Sequence, residues 1–172
     1  METIKGIFKI KMNQYEIINR LNYFLINEKG DINVKIKGGS LLHKATLIPL
    51  ASVRNPVIEY LLDKNIDVNM KNENGRTPLF RFIYHNNNML TNRLLDMGAD
   101  LNVIDNSGGT ILDRMFWACD NLKTFKRVIE SLDEINIKQE SFNMMIRNLT
   151  KKYGQKKVEE ELGITKLLRY WI

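Results

Sequence analysis

The sequence predicts an all-α fold, a short solenoid of stacked helical repeats, on the strength of three observations. First, five identical residues or residue pairs recur 33 positions apart: Gly75 with Gly108, Thr77 with Thr110, Leu79 with Leu112, Asn69 with Asn102, and Leu61-Leu62 with Leu94-Leu95. Second, the apolar residues inside each unit fall at helical spacing. Third, a glycine or an asparagine follows each apolar run, where a helix ends. A fixed period of this length indicates units that bury their apolar faces by stacking.

The N-terminal part divides into an extension and a half repeat. Residues 1–12 place apolar side chains around Gly6, and a strand-like arm, a poor helix and a disordered leader all remain open for them. Residues 13–36 match only the second half of the later units. They carry Leu25-Ile26 and then Gly30-Asp31-Ile32-Asn33, the equivalents of the later leucine pair and the segment after it.

The first full copy spans residues 37–72 and begins 37 positions before the second one. Its residues Gly38, Ser40, Leu42 and His43 are in register with Gly75, Thr77, Leu79 and Phe80. This offset gives the copy about four extra residues relative to the 33-residue period. We expect them within Ile48–Pro56, where Pro49 and Pro56 would break a continuous helix.

The second copy, residues 73–105, has the clearest local signals. Thr77 is a good N-cap residue and Pro78 suits the first helical position. The inner helix is predicted to end at about Asn86, and a second helix to run from Met89 to Met97. Gly98 then falls where the chain must turn left-handed, and the equivalent position of the first copy holds Asn65, the next best residue there.

The third copy spans residues 106–139, and a C-terminal helical cap is predicted for 140–172. In the third copy Asp113 stands in register with His43, and we expect it to cap the helix or bind backbone. The cap is predicted to contain Ser141–Lys152, Gln155–Leu162 and a helix from Thr165 to the end, with Ser141 as an N-cap and Gly154 and Gly163 as stops. Its exposed end, with Trp171, could either close the stack or contact a partner.

This order of residues resembles the ankyrin repeat, whose pattern is G-x-T-P-L-H-x-A, a leucine pair and G-A-D-x-N. The second copy matches best, with Gly75, Thr77, Pro78, Leu79, Leu94-Leu95 and Gly98-Ala99-Asp100-Leu101-Asn102. The resemblance covers about Asn13–Gln139. It implies about three repeats plus the half repeat, each full one with two helices and a finger-like turn. It also implies protein binding through the finger tips and the exposed side of the inner helices, and a role for His43 in ordering its turn by hydrogen bonds.

Composition favours a protein of the cell interior. The chain has 172 residues, a net charge of +6 and a single cysteine, Cys119, so that an intramolecular disulfide is excluded. It has neither an apolar run long enough for a membrane span nor the unbroken apolar stretch of a secretory signal. We therefore expect a cytoplasmic location, in the host cell if the protein is viral or comes from a phage.

No catalytic pattern is apparent, so the sequence predicts no enzyme, cofactor, metal or small-molecule substrate. A phosphate-binding glycine loop, a paired-cysteine motif and a histidine-rich metal spacing are all missing from it. His85 has no neighbouring ligand residue in the sequence. Cys119 is most simply a small core residue, because a nucleophile requires a nearby base that cannot be named.

Applied residue by residue, the resemblance predicts a basic concave face. From Asn13 to Cys119 the chain carries 12 basic and 11 acidic residues, yet seven of the basic ones map to that face. The predicted partner-binding residues are Lys35, Lys37, Lys44, Lys71, Arg76, Arg81, Tyr84, Arg114 and Trp117. Among the variable positions there, only Glu73 is acidic.

Such a face suits another protein with an acidic surface, since Arg, Tyr and Trp dominate interface energetics. The leading hypothesis is a non-catalytic inhibitor or antagonist. A bacterial immunity protein that neutralises a toxin and a phage or viral protein that blocks a host defence both fit it. The alternatives are nucleic-acid or nucleotide binding through the same basic face, and a scaffold that forms a homodimer through its C-terminal helices.

Overall fold

The computed structural model describes residues 6–8, 11–84, 87–118, 121–131 and 139–163. Within these ranges the regular structure is helical, apart from an isolated bridge between Ile36 and Gly39. The helices are α1 (Gln14–Ile26), α2 (Leu41–Ala45), α3 (Ala51–Asp63), α4 (Pro78–Tyr84), α5 (Asn88–Asp96), α6 (Ile111–Ala118), α7 (Leu122–Glu130), α8 (Gln139–Tyr153) and α9 (Gln155–Leu162). The all-α solenoid predicted from the sequence is confirmed.

The helices form two rows. An inner row is formed by α2, α4, α6 and α8, in which each helix contacts the next. The outer helices α1, α3, α5, α7 and α9 lie behind them, and the consecutive pairs α2–α3, α4–α5 and α8–α9 pack against each other as hairpins. Apolar side chains from both rows form one continuous core, so no unit buries its apolar face alone.

The half repeat supplies a single outer helix, α1. Asn13 caps it by accepting a hydrogen bond from the Glu16 amide at 3.0 Å, and the Glu16 carboxylate accepts the Asn13 amide in return. Ile17 and Leu21 point into the core. Residue Ile7 of the N-terminal extension is fully buried.

The first full repeat corrects one prediction. Helix α3 starts 37 residues before α5 but ends 33 residues before it, so the extra residues lengthen the first turns of α3. Pro56 therefore lies inside this helix instead of breaking it. Its missing N–H removes one hydrogen bond near the helix start, on an exposed face where water can satisfy the Ser52 carbonyl.

The second repeat begins as predicted at Pro78, but Thr77 does not cap it. The Thr77 hydroxyl is buried and has no hydrogen-bond partner among the described residues, so the prediction of an N-cap was wrong. The Phe80 amide, which an N-cap hydroxyl would bind, donates instead to the Thr77 carbonyl at 3.2 Å. Phe80 also lacks the polar side chain with which His43 and Asp113 bind the cap residue in the other repeats. The α4 helix is described from Pro78 to Tyr84. Its predicted end at Asn86 lies outside the described residues, and so does His85.

The turns after the outer helices confirm the left-handed positions. Asn65 has a φ of 55° and Gly98 a φ of 77°. Most side chains avoid this region, whereas glycine enters it without a penalty and asparagine at a small one. The two residues therefore occupy equivalent places for a conformational reason, although their side chains differ.

Asparagine and aspartate side chains then link successive repeats. The Asp67 amide donates to Asn33 Oδ1 at 2.7 Å, and the Asp100 amide donates to Asn69 Oδ1 at 2.8 Å. Within each turn Asp31, Asp67 and Asp100 accept the amide two residues later. This ladder fixes the stacking distance by satisfying backbone groups that would otherwise lack partners.

The outer row is also tied together by ion pairs. Arg93 of α5 contacts Asp63 of α3 at 3.1 Å, and Arg127 of α7 contacts Asp96 of α5. Lys126 reaches Glu161 of α9 at 3.9 Å. Several acidic residues of the outer side are therefore engaged by neighbouring helices.

The C-terminal helices continue the same arrangement, because α8 joins the inner row and α9 the outer row. Gly154 separates them and Gly163 ends α9 in a left-handed conformation, as predicted. Ser141 is not an N-cap, since α8 already begins at Gln139. The helix predicted from Thr165 onward lies outside the described residues, and so do Cys119 and Trp171.

Candidate functional site: the concave face

Three finger turns project from the inner row. The first is closed by the paired backbone bonds of Ile36 and Gly39, at 2.8 and 2.9 Å. The second joins the Asn72 amide to the Arg76 carbonyl, and the third joins the Asp105 amide to the Gly109 carbonyl, both at 2.9 Å. The second and third turns lie within Asn69–Arg76 and Asn102–Gly109, the two segments that the resemblance predicted as fingers.

The fingers are bonded to one another. The Asn106 amide donates to the Asn74 carbonyl at 3.0 Å, and Glu73 accepts the Gly38 amide at 3.1 Å. Glu73 was predicted to be the one variable acidic residue of this face. Its carboxylate connects the first two fingers, and it forms no ion pair with a described lysine.

Most of the side-chain contacts of the third finger converge on the carboxylate of Asp105. Its carboxylate accepts the amides of Ser107 and Gly109 at 2.9 and 2.8 Å and the Ser107 hydroxyl at 2.6 Å. Its other oxygen accepts Arg76 Nε at 2.7 Å and Arg114 at 3.2 Å. The side chain is closed to solvent, so this single carboxylate organises two fingers and helix α6.

The same contacts keep Asp105 ionised. Burial alone would raise the pKa of this carboxyl, but the hydrogen bonds from Ser107, Arg76 and Gly109 outweigh it and hold the pKa well below the usual value. Asp105 was missed as an important residue by reasoning from the sequence. The available signal was the D-x-S-G-G order, since an aspartate two residues before a serine in a turn commonly binds the following amides.

Two of the predicted partner-binding residues therefore have a structural task. Arg76 and Arg114 brace the buried Asp105 and keep only 35% and 29% of their side-chain surfaces exposed. Reversing their charge would disturb the fold together with the face, so neither residue is a clean probe of binding. Sequence reasoning could not find this, because the partner carboxylate lies 29 residues beyond Arg76.

His43 has the structural role that the resemblance implied. Its Nδ1 lies 3.1 Å from the Ser40 amide and 2.9 Å from the Ser40 hydroxyl, and its Nε2 lies 2.9 Å from the Arg76 carbonyl. The bond to Arg76 joins the first two repeats. Burial, with the nearby charge of Arg81, lowers the pKa of His43 although its bond to the Arg76 carbonyl opposes the shift.

Asp113 caps the inner helix of the third repeat, as expected. Its carboxylate accepts the Thr110 amide at 2.8 Å and the Thr110 hydroxyl at 2.9 Å. In return the Asp113 amide donates to the Thr110 hydroxyl at 3.2 Å. The chain thus builds its capping motif with two different side chains.

The remaining predicted cations are differently placed. Lys35, Lys37, Lys71 and Arg81 are exposed and Lys44 is half-buried, and none of the five side chains forms an ion pair or a hydrogen bond to a described residue. By register, Lys44, Arg81 and Arg114 occupy equivalent positions on α2, α4 and α6. Helices packed side by side lie about 8–10 Å apart, so these positions form a basic row across the concave face.

A cleft of about 280 Å³ opens at α4, and we refer to it as the α4 cleft. It lies in the middle of the basic row. Its walls include Arg76, Thr77, Phe80, Arg81, Tyr84 and Arg114. Tyr84 exposes 61% of its surface here. Trp117 lies on α6, but its side chain is outside the described part of the chain.

Comparison with protein families gives one match. A model of ankyrin repeats, in three copies, matches residues 47–140, which is more than half of the chain. The chain belongs to the ankyrin-repeat family. The half repeat and the first inner helix lie before the matched range, yet their helices begin with the same kind of side-chain capping bonds as the later helices. Comparison with curated proteins gives no match.

Membership of the ankyrin-repeat family indicates a module for protein–protein interaction, and such repeats are typically non-catalytic. In the described ranges no group of three His, Cys, Asp or Glu side chains is placed to hold a metal ion. Nor is any helix of those ranges both long and apolar enough to cross a membrane.

Proposed function

We propose that this ankyrin-repeat protein binds another protein that carries an acidic surface, and that it does so through its basic concave face. The observation that supports the proposal most is the set of unpaired cations. Lys35, Lys37, Lys44, Lys71 and Arg81 lie on the fingers and inner helices without an ion pair to any described residue. Cations placed this way attract an acidic partner over a distance and complement it on contact.

The distribution of ion pairs on the outer row strengthens the contrast. Arg93, Lys126 and Arg127 are each neutralised by carboxylates of neighbouring helices. The stack therefore uses carboxylates to hold its outer helices together and leaves an excess of positive charge on the fingers and inner helices. An acidic protein would find its complement on that side.

We further propose that binding makes the protein an inhibitor or antagonist, acting in the cytoplasm. A rigid stack of repeats that covers an acidic surface on its partner would block whatever else uses that surface. Immunity against a toxin and counter-defence against a host system are both compatible with this mode of action. Neither requires a catalytic group on this chain.

The test is an affinity pull-down with the tagged protein and two variants. Lys44→Glu/Lys71→Glu/Arg81→Glu reverses the basic face at residues that no described fold contact requires, and the matched control Lys64→Glu/Lys123→Glu/Lys151→Glu makes the same charge change elsewhere. We expect one protein to be captured by the wild type and the control, but lost with the reversed face.

Capture of the same protein by all three would show that another surface binds it. Capture of nucleic acid by the wild type and the control, measured by absorbance at 260 nm and by nuclease sensitivity, would support the alternative function instead. For the inhibitory role, the activity of the captured protein is measured with and without this chain. Unchanged activity at saturation would contradict antagonism.

A further inference from the structure

We propose that the α4 cleft receives a glutamate side chain of the acidic partner, an inference that rests on the proposed function. The cleft is the one place among the described residues where cations, aromatic rings and unpartnered polar atoms of the concave face meet around a cavity. Each of these features restricts the chemistry of the occupant.

The cleft has more positive charge than its own carboxylate balances. Arg76, Arg81 and Arg114 contribute three guanidinium groups to its walls, while Asp105 supplies one carboxylate to two of them. The difference is a surplus of two positive charges. A cleft with walls of low polarisability concentrates this field, so an anion is drawn into it.

Arg81 is the residue that is ready to bind. It is exposed, it lies on α4 at the cleft, and its guanidinium forms neither a hydrogen bond nor an ion pair with a described residue. A guanidinium presents parallel N–H groups that match the two oxygens of a carboxylate. Arg76 and Arg114 each give one contact to a single oxygen of the buried Asp105, whereas the guanidinium of Arg81 has both edges available for a carboxylate.

The aromatic residues favour glutamate over a phosphate group. Phe80 and Tyr84 line the cleft beside the arginines, so its walls are partly apolar. A glutamate side chain is apolar along its methylene groups and charged at its end, and it can satisfy both kinds of wall. A phosphate is polar on every side, so placing it against the rings would remove some of its water without giving it a hydrogen bond in return.

Two buried polar atoms of lining residues lack partners in the described structure. They are Thr77 Oγ1 and Arg114 Nε. An unpaired buried polar group is costly, and such groups often mark a place that a ligand completes. They make the α4 cleft incomplete as it stands, in contrast to the fully satisfied carboxylate of Asp105 beneath the third finger.

The experiment is a titration of the full chain with short peptides, followed by NMR chemical shifts and calorimetry. The probes are hexapeptides of glutamate, of aspartate and of phosphoserine, and a six-nucleotide oligothymidylate. The variants are Arg81→Lys, which keeps the charge but loses the fork, Arg81→Gln, and the control Lys123→Gln, which removes a charge from an exposed residue of α7. Far-ultraviolet circular dichroism checks that each variant folds.

We expect the glutamate peptide to shift signals of Arg81 and Tyr84 and to bind the wild type and the control equally. Arg81→Lys should weaken its binding about tenfold, because a bidentate, charge-assisted contact is lost. Tighter binding of the phosphoserine peptide, or equal binding by Arg81→Lys, would overturn the assignment of the cleft to glutamate. So would the absence of any binding of the glutamate peptide.

These results separate the two proposals. A further variant, Lys44→Glu/Lys71→Glu, reverses the basic face without changing Arg81. If the glutamate peptide binds the wild type and Arg81→Lys equally but fails to bind this double variant, the acidic-partner function stands and the cleft assignment is wrong. If the oligothymidylate binds in preference to every peptide, with the same loss in Lys44→Glu/Lys71→Glu, both are wrong.

Discussion

Replacing Asp105 by alanine should destabilise the fold strongly, since this buried carboxylate holds two fingers and α6 together. The substitution removes five hydrogen bonds, two of them to arginines. Breaking a buried pair costs about 3–5 kcal/mol. Because Arg76 and Arg114 keep 35% and 29% of their side chains exposed, water can partly rehydrate them, and we expect about 2–4 kcal/mol.

The measurement is urea unfolding followed by circular dichroism at 222 nm. With a slope on the order of 2 kcal/mol per molar, the midpoint should fall by about 1–2 M. Asp105→Asn should lose less, because its amide oxygen can still accept the amides of Ser107 and Gly109. Asp63→Ala is the control, since Asp63 is largely exposed and its removal should cost below about 0.5 kcal/mol.

The pH dependence of stability separates the effect of the negative charge of Asp105 from the effect of its side-chain shape. The folded-state pKa of Asp105 lies below its unfolded value of 3.8. The stability that the ionised carboxylate contributes is therefore complete above pH 3.8 and is lost as the pH falls from there through the folded-state pKa. The wild type should therefore lose stability between about pH 5 and pH 2 more steeply than Asp105→Asn. An Asp105→Ala midpoint equal to that of Asp63→Ala, or equal pH slopes, would refute the central position given to this carboxylate.

Three further substitutions test other contacts. Gly75→Ala should cost more than Gly108→Ala in urea unfolding. Both residues have positive φ, but a Cβ at Gly75 would clash with Asn106, whereas one at Gly108 would meet open space. Equal losses would contradict this. Thr77→Val should leave the midpoint unchanged or raise it, because the hydroxyl that it removes has no partner; a fall of 1 M or more, roughly 2 kcal/mol, would show a missed contact. The folded-state pKa of His43 is lowered, so the stability that its neutral ring contributes is complete above the ordinary pKa of 6.5 and is lost as the pH falls. His43→Gln should therefore flatten the fall in the free energy of unfolding from about pH 7 to pH 5. A slope equal to that of the wild type would contradict this.

The architecture was predictable from the sequence because stacking imposes a period. A residue such as Gly98 or Asn65 is fixed by a local conformational need, and that need recurs at each repeat. Pro78 and the leucine pairs follow the same rule. The boundaries 1–12, 13–36, 37–72, 73–105, 106–139 and 140–172 stay predictions, since the described structure and the family match do not test them.

The interior of the site was less predictable, because its contacts join residues of different repeats. The register predicted Arg76 and Arg114 as residues of the concave face, but it could not show that both reach Asp105. Pro56 was misjudged for a related reason: a proline near the exposed start of a helix removes a bond that water can replace. Local signals therefore locate the helices, whereas the side-chain partners depend on the third dimension.

Amide hydrogen exchange of the protein, alone and saturated with the partner captured in the pull-down, tests the central claim most directly. Binding through the basic concave face should slow exchange in the three fingers and in α2 and α4, while α3, α5 and α7 of the outer row stay unchanged. Protection confined to the outer row or to α8 and α9 would contradict the account.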